Sequence, residues 1–398
     1  MKIRSITAFV DATYPLAVEP IAKAGKTLGA ARQAFTEAGW DVQTVRLATQ
    51  PYPDVLGEAG PGKTPDLAKD MEALAFVHEI DYVSIGPARL THPAAYIEAL
   101  PDTLGGTQAV FAAIEIAHPD RGVHLPTVRR AAGVIHRVSA LTEDGFTNLR
   151  LAALANVGPG APFFPAAYHE GGPMRLAIAT ESADLVLTAI ERAASLTEAR
   201  ELLIAAVEAE SARLEITAHK LGVTLGGIDF SPAPFPEESR SIGAALERLG
   251  LPGVGYHGTL AAVAFVASAL GRARFPRAGF CGVMLPVLED PVLATRAAEG
   301  ALGVNDLLMY SAVCGTGLDT LPLPGGIGED AIAAILLDVG ALALRLSKPL
   351  TARLMPLPGK QAGDEVIFDF DYFAPSRVLA PRAAALSGLF AGDDVVAL

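Results

Sequence analysis

The chain has 398 residues, 51% of them hydrophobic, with a formal net charge of −13 and a mean hydropathy of +0.36. That is enough apolar material for one large α/β domain or two ordinary ones, and it excludes a disordered chain. The acidic balance, without a concentrated Lys/Arg stripe, argues against nucleic acid as a partner, and two cysteines cannot build a disulfide framework.

In chain order, the opening MKIRSITAFVDATYPL breaks its short apolar run at Asp11, before the hydrophobic region of a leader can develop, and a cytoplasmic protein is expected. RSITAFV (4–10) and DVQTVRLA (41–48) read as strands flanking a helical stretch at 16–38. A second helix is expected at 66–78 before the strand DYVSIGPA (81–88). This β-α-β-α-β order predicts a parallel sheet. TNLRLAALANV (147–157) is strand-like, and 182–221 is helical up to Gly222. Further helices are expected after Pro291, over GVNDLLMYSAV, and at 239–250, 258–270 and 328–346. The apolar stretch at 259–271 is shorter than the roughly 20 residues of a membrane span, and AIAAILLDVGALALRL carries Asp338 and Arg345, so both read as buried helices and no membrane association is expected. No repeat or charged linker divides the chain, which predicts one domain over 1–398.

Glycines and prolines gather in NVGPGAPFFPAAYHEGGP, GGIDFSPAPFPEES, RFPRAGFCG and LDTLPLPGG, all read as loops at strand ends, where parallel α/β folds usually build their sites. One nucleotide motif also occurs. GEAGPGKT (57–64) satisfies the phosphate-loop pattern, but the preceding QPYPDVL has two prolines in three residues and cannot be the buried strand that a phosphate loop follows. It reads as a surface turn, and no nucleotide is expected.

The chemistry-bearing side chains fall in the same loops: His169 in YHEGGP, Asp229 and Ser231 in GGIDFSPAPFP, His257 in GYHGT, Glu289 and Asp290 in VLED, and Cys314 and Asp319 in AVCGTGLDT. Each also has a structural role open to it. His257 can cap the following helix, Asp229 can fix an Asx turn, and Glu289 with Asp290 can complement the helix after Pro291. Cys314 stands near the end of a helix, where the dipole disfavours a thiolate, yet a thiol near His257 would gain proton-transfer chemistry. No HExxH or CxxC spacing supports a metal, although the carboxylates leave a divalent cation open.

Five segments occur in the order and spacing of a known family: IDFSPAPFPEESRSIG, GYHGTLAAVA, GFCGVMLPVLED, AVCGTGLDTLPLPGG and TARLMPLPGKQAGDEVIFDFDYFAPSRVL. The chain resembles the uncharacterised DUF711, or UPF0210-type, proteins, most strongly over 145–380. The resemblance implies a pyruvate formate-lyase-like, ten-stranded-type α/β barrel with outer helices, assembled as a homo-oligomer, with a dimer the first expectation. The C-terminal APRAAALSGLFAGDDVVAL does not resemble a glycyl-radical loop. Cys314 matches the family's Val-Cys-x-x-Gly-Leu-Asp pattern, while Cys281 fills a position that is more often serine. The resulting expectation is an enzyme of undetermined reaction acting on a small polar metabolite in the barrel mouth. Cys314, His257 and His169 are its catalytic candidates, and Asp229, Ser231, Glu289, Asp290 and Asp319 its substrate-binding candidates. The alternative is a non-catalytic metabolite-binding regulator on the same scaffold.

Overall fold

A computed structural model describes all 398 residues. Its strands, in chain order, are β1 (Lys2–Phe9), β2 (Val42–Ala48), β3 (Tyr82–Ala88), β4 (Val110–His118), β5 (Gly122–His124), β6 (Leu151–Ala155), β7 (Arg175–Glu181), β8 (Leu225–Asp229), β9 (Gly317–Pro324), β10 (Leu350–Leu357), β11 (Glu365–Val366), β12 (Ser376–Arg377) and β13 (Val395–Val396). One mixed sheet runs in the order β8-β7-β1-β2-β3-β4-β6-β10-β9, with β5 and β13 attached at β4. Adjacent members of the series β1, β2, β3, β4 and β6 pair in parallel. On either flank the direction reverses: β7 is antiparallel to β1 and β10 to β6, while β8 and β9 run parallel to these flanking strands.

The expected elements are present at Val18–Glu37, Thr64–Val77, Ala183–Arg192, Leu196–Lys220, Ile242–Arg248, Thr259–Arg272, Pro291–Ala298, Val304–Cys314 and Glu329–Arg345. The helix Val18–Glu37 shows why. Ile21, Ala24, Leu28, Ala31 and Phe35 recur every three or four residues and form its buried face. Such helices cover one face of the sheet, and their apolar stripes join the strand residues facing them in a cluster of 93 buried side chains.

LDTLPLPGG corrects the loop reading, because Gly317–Pro324 is the strand β9. Pro322 and Pro324 are tolerated there because β9 is an edge, hydrogen-bonded along only one side to β10. TNLRLAALANV is a strand only over Leu151–Ala155, since Phe146–Arg150 forms a 3-10 turn.

The other face of the sheet is covered by loops. Ser5 and Thr7 both donate to the Pro162 carbonyl, at 3.3 and 3.1 Å, and Ser84 donates to the Ala167 carbonyl at 2.6 Å. These bonds draw the 156–174 connection across the inner face. A second segment, 276–284, lies between the two edge strands. The Ile228 amide donates to the Pro276 carbonyl and the Ala278 amide to the Ile228 carbonyl, while on the β9 side the Val283 amide donates to the Cys314 carbonyl. The strand ladder itself stays open between β8 and β9.

Asp229, fully buried at the end of β8, fastens this segment. Its carboxylate accepts from the Phe280 amide (2.7 Å), the Cys281 amide (2.9 Å), the Ser231 amide (3.0 Å) and the Ser231 hydroxyl (2.6 Å). Burial pushes its pKa up, while those donors pull it down and do not fully cancel the shift. Gly279 has a φ of +65°, and a Cβ there would collide with the same carboxylate. Asp229→Ala leaves several buried donors without an acceptor and is expected to cost at least about 3 kcal/mol of stability in urea unfolding. A loss below about 1 kcal/mol would show that other contacts hold the segment.

Candidate functional site

A cavity of about 150 Å³ opens on the loop-covered inner face. It lies at the N-terminal ends of the parallel strands: Arg4 of β1, Thr44 and Arg46 of β2, Tyr82 of β3, Phe111 of β4 and Ala152 of β6 all line it. Asp319 of β9 and Arg353 of β10 approach from the antiparallel flank. Phe163 and Phe164 come from the 156–174 connection, Phe280 from the 276–284 segment, and Phe370 and Tyr372 from a C-terminal strap, residues 367–375 between β11 and β12.

Two β-bulges aim the charged side chains. Along β1 and β7 the register passes from Ile3↔Thr180 to Ser5↔Ala179, so Arg4 is an extra residue on its strand. Simple alternation would set Arg4 on the helix-covered face with Ile6, Ala8 and Val10; instead Ile3 joins that core and Arg4 enters the cavity. Along β9 and β10 the register passes from Leu318↔Ala352 to Leu321↔Leu354, so Asp319 and Thr320 oppose Arg353 alone. Thr320 has a φ of +42°, in the left-handed region that threonine rarely adopts, and this local strain directs Asp319 toward Arg353.

The result is a continuous chain of opposite charges. Arg240 pairs with Glu181, Glu181 also meets Arg4 at 3.5 Å, and Arg4 pairs in turn with Glu289. Glu289 then accepts from Arg353 at 3.1 Å, and Arg353 donates to Asp319 at 2.6 Å. Burial disfavours the Arg353 charge, but Asp319 and Glu289 outweigh it and raise its pKa.

Arg46 stands outside this pairing. Its Nε donates to Thr44 Oγ1 at 2.8 Å, and Thr44 in turn donates to the Arg4 carbonyl at 2.9 Å. Its guanidinium lies 5.1 Å from the Phe164 ring centre and 5.7 Å from that of Tyr82, and no carboxylate pairs with it. Burial first, and then the nearby charge of Arg4, push its pKa down to about 10, so it remains a cation at neutral pH. Arg150 also lines the cavity, but its guanidinium is engaged by the carbonyls of Leu104 and Val110 and by Thr107.

The residues expected from sequence separate into three groups. Glu289 and Asp319 reach the cavity and share Arg353. Asp229, Ser231 and Asp290 are fully buried and are occupied by backbone donors. Asp290 caps the helix Pro291–Ala298 through the Val292 and Leu293 amides, both at 3.0 Å, and also accepts from Ser241 and the Gly243 amide at the start of Ile242–Arg248. In the third group, Cys314, His257 and His169, no hydrogen bond joins any two members. Cys314 is buried at the end of its helix, with its sulfur 3.5 Å from the Thr316 hydroxyl, while His257 is exposed in the turn before Thr259–Arg272. His169 is buried under the loop after β1, with Nε2 3.4 Å from Asp11 and 3.3 Å from the Gly172 carbonyl. No three His, Cys, Asp or Glu side chains gather as a metal-holding group. GEAGPGKT follows a short helix, Tyr52–Leu56, and forms two 3-10 turns, with Lys63 paired to Asp66.

Sequence reasoning missed Arg4, Arg46 and Arg353. For the last two the signal was present: TVRLA and TARLM each set an arginine inside an otherwise apolar strand, where a charge needs a partner or a ligand.

The fold and cavity define an α/β protein with a large, mostly parallel central sheet, surrounding helices, and a cationic, aromatic-walled cavity on the face away from those helices. Residues 1–371 match the family described as "Uncharacterised ACR (DUF711)", and the chain belongs to that family. It is 35% identical over 369 residues to a UPF0210 protein of Pyrobaculum arsenaticum, covering 87% of this chain and 80% of that one. It is 30% identical over 367 residues to a UPF0210 protein of Methanopyrus kandleri, covering 86% and 80%, and 29% identical over 403 residues to one of Desulforudis audaxviator, covering 92% and 88%.

The thiols give a direct test of the cysteine reading. Cys281 donates to the carbonyls of Ala278 (3.3 Å) and Ile228 (3.5 Å), and burial together with the nearby Asp229 charge pushes its pKa up to about 12. With Cys281 held by that raised pKa and Cys314 buried, neither thiol should react with iodoacetamide at pH 7 until the protein is unfolded. Rapid native labelling of Cys314 that slows in His257→Ala would instead restore the thiol site.

Proposed function

We propose that the inner-face cavity binds a small organic anion and that the protein is an enzyme acting on it. The observation that carries this reading is Arg46, a half-buried guanidinium on the cavity wall with no carboxylate partner and with its terminal nitrogens free to donate into the cavity. A charge kept in such a place costs stability unless something compensates it, and a ligand carboxylate or phosphate supplies the compensation. Thr44 holds Nε, which leaves the two terminal nitrogens as a fork of the kind that grips planar anions. Glu289 and Asp319 sit in the same cavity on Arg353, positioned to orient a substrate hydroxyl or amine or to exchange a proton with it.

We propose, too, that the sheet closes toward the barrel that the family resemblance implies. Five strands run one way and four the other, and the 276–284 segment lies between the two edges in the position of a tenth. An isolated parallel bridge between Ile228 and Arg277 supports that placement. The non-catalytic alternative uses the same cavity and differs only in the absence of turnover.

The test is native mass spectrometry of protein isolated from its own host, with Arg46→Met beside it. Wild type should carry an acidic small molecule and the variant none. Because Arg46 is partly desolvated and repelled by Arg4 and Arg353, Arg46→Met should melt no lower than ligand-free wild type. A variant that retains the ligand would refute the assignment.

A further inference from the structure

Resting on that reading, we infer that the ligand is a monocarboxylate whose apolar part is about the size of one ring, rather than a phosphate ester or a polyanion. Three observations converge on this class.

The first is the charge balance. The arginines Arg4, Arg240 and Arg353 are matched by the carboxylates Glu181, Glu289 and Asp319 through the continuous chain of pairs, and Glu237, which also approaches Arg240 at 3.6 Å, is exposed and outside the cavity lining. Arg150 is satisfied by carbonyls and a hydroxyl, and the acidic Glu72 lies close enough to stabilise its charge. One positive charge remains, on Arg46. A carboxylate balances it; a phosphate dianion would bring a second negative charge to a wall that already holds Glu289 and Asp319, with no free cation to meet it.

The second is the shape of the donor set. With Nε held by Thr44, Arg46 offers two terminal nitrogens in one plane, which suits the two oxygens of a carboxylate. No helix N-terminus or glycine-rich nest contributes to the cavity lining, although phosphate sites are commonly built from such features.

The third is the wall. Tyr82 meets Phe111 edge-on, with centres 5.4 Å apart at 74°, and Phe111 meets Phe164 at 5.3 Å and 64°. Phe163 and Phe280 extend this surface. Apolar cavities of about 150 Å³ are known to accept a single benzene ring, and the volume here is about 150 Å³. The cavity therefore takes an anionic head on Arg46 and one ring-sized apolar body against the aromatic wall.

Benzoate, phenyl phosphate and benzamide separate these elements by isothermal titration calorimetry on the full-length protein, with Arg46→Gln as the variant and Lys63→Ala as a control at an exposed residue away from the cavity. Benzoate should bind saturably to wild type and to Lys63→Ala. Benzamide, which lacks the charge, and phenyl phosphate, which carries an excess of it, should each bind at least tenfold more weakly, and Arg46→Gln should weaken benzoate by tenfold or more. If phenyl phosphate matches or exceeds benzoate while Arg46→Gln still abolishes binding, the carboxylate class is wrong and the anion cavity stands. Equal binding of benzamide and benzoate overturns the charge argument. If no probe binds wild type, or Arg46→Gln binds benzoate as wild type does, the anion-cavity reading falls with the class.

Discussion

The inner face of this sheet is organised by one electrostatic constraint: guanidinium groups brought out of water must meet negative charge or lose much of the stability that burial provides. Arg240, Arg4 and Arg353 satisfy it through Glu181, Glu289 and Asp319, each acid shared or fixed by a neighbouring arginine. Such a chain ties together parts of the molecule far apart in sequence. It links both ends of the antiparallel flanks, β7 and β9–β10, to the first strand and to the loop ahead of Pro291. Most members keep a second partner when one is removed, but loss of Arg353 would leave Asp319 without a cation, and an uncompensated charge out of water is strongly destabilising. Arg46 is the exception to the constraint inside the same cavity, and that contrast gives the exception its meaning.

The backbone devices that create this arrangement are local irregularities. A regular β1 would turn Arg4 toward the helices, and a regular β9 would not set Asp319 beside Arg353. In both places an extra residue re-aims a charge into the cavity, at the cost of interrupted ladder bonds and, at Thr320, of a strained φ. Asp229 acts at a different level. By holding the Phe280 and Cys281 amides it positions the segment that carries Phe280 to the cavity wall. The carboxylates of this protein thus divide by what they accept from: backbone amides for Asp229 and Asp290, arginines for Glu289 and Asp319.

The cavity also departs from the usual address of an α/β site. It lies at the N-terminal rather than the C-terminal ends of the parallel strands. Loops fill the inner face from the other end: the 156–174 connection is stitched to Ser5, Thr7 and Ser84, and His169 is buried beneath the turn after β1. The available space is therefore at the opposite rim, under the aromatic C-terminal strap.

The sequence by itself determined the elements whose cause is local. The three- and four-residue recurrence of apolar side chains set the helix Val18–Glu37, the aspartate before Pro291 set a helix start, and the Pro-rich approach to GEAGPGKT ruled out a buried strand. The family was also legible in its motifs, because order and spacing survive without coordinates. Two of the site residues, Glu289 and Asp319, were legible as carboxylates in Gly/Pro-rich segments. Tertiary structure alone decided that β9 is an edge strand able to carry two prolines, that Arg4 and Asp319 face inward, and that Cys314 is buried while His257 is exposed. The physical reason is that bulges, edge positions and charge pairing depend on partners distant in the chain, from 34 residues for Asp319 and Arg353 to 285 for Arg4 and Glu289. A strand's own period specifies two faces, but only its neighbours fix which of them holds the charge.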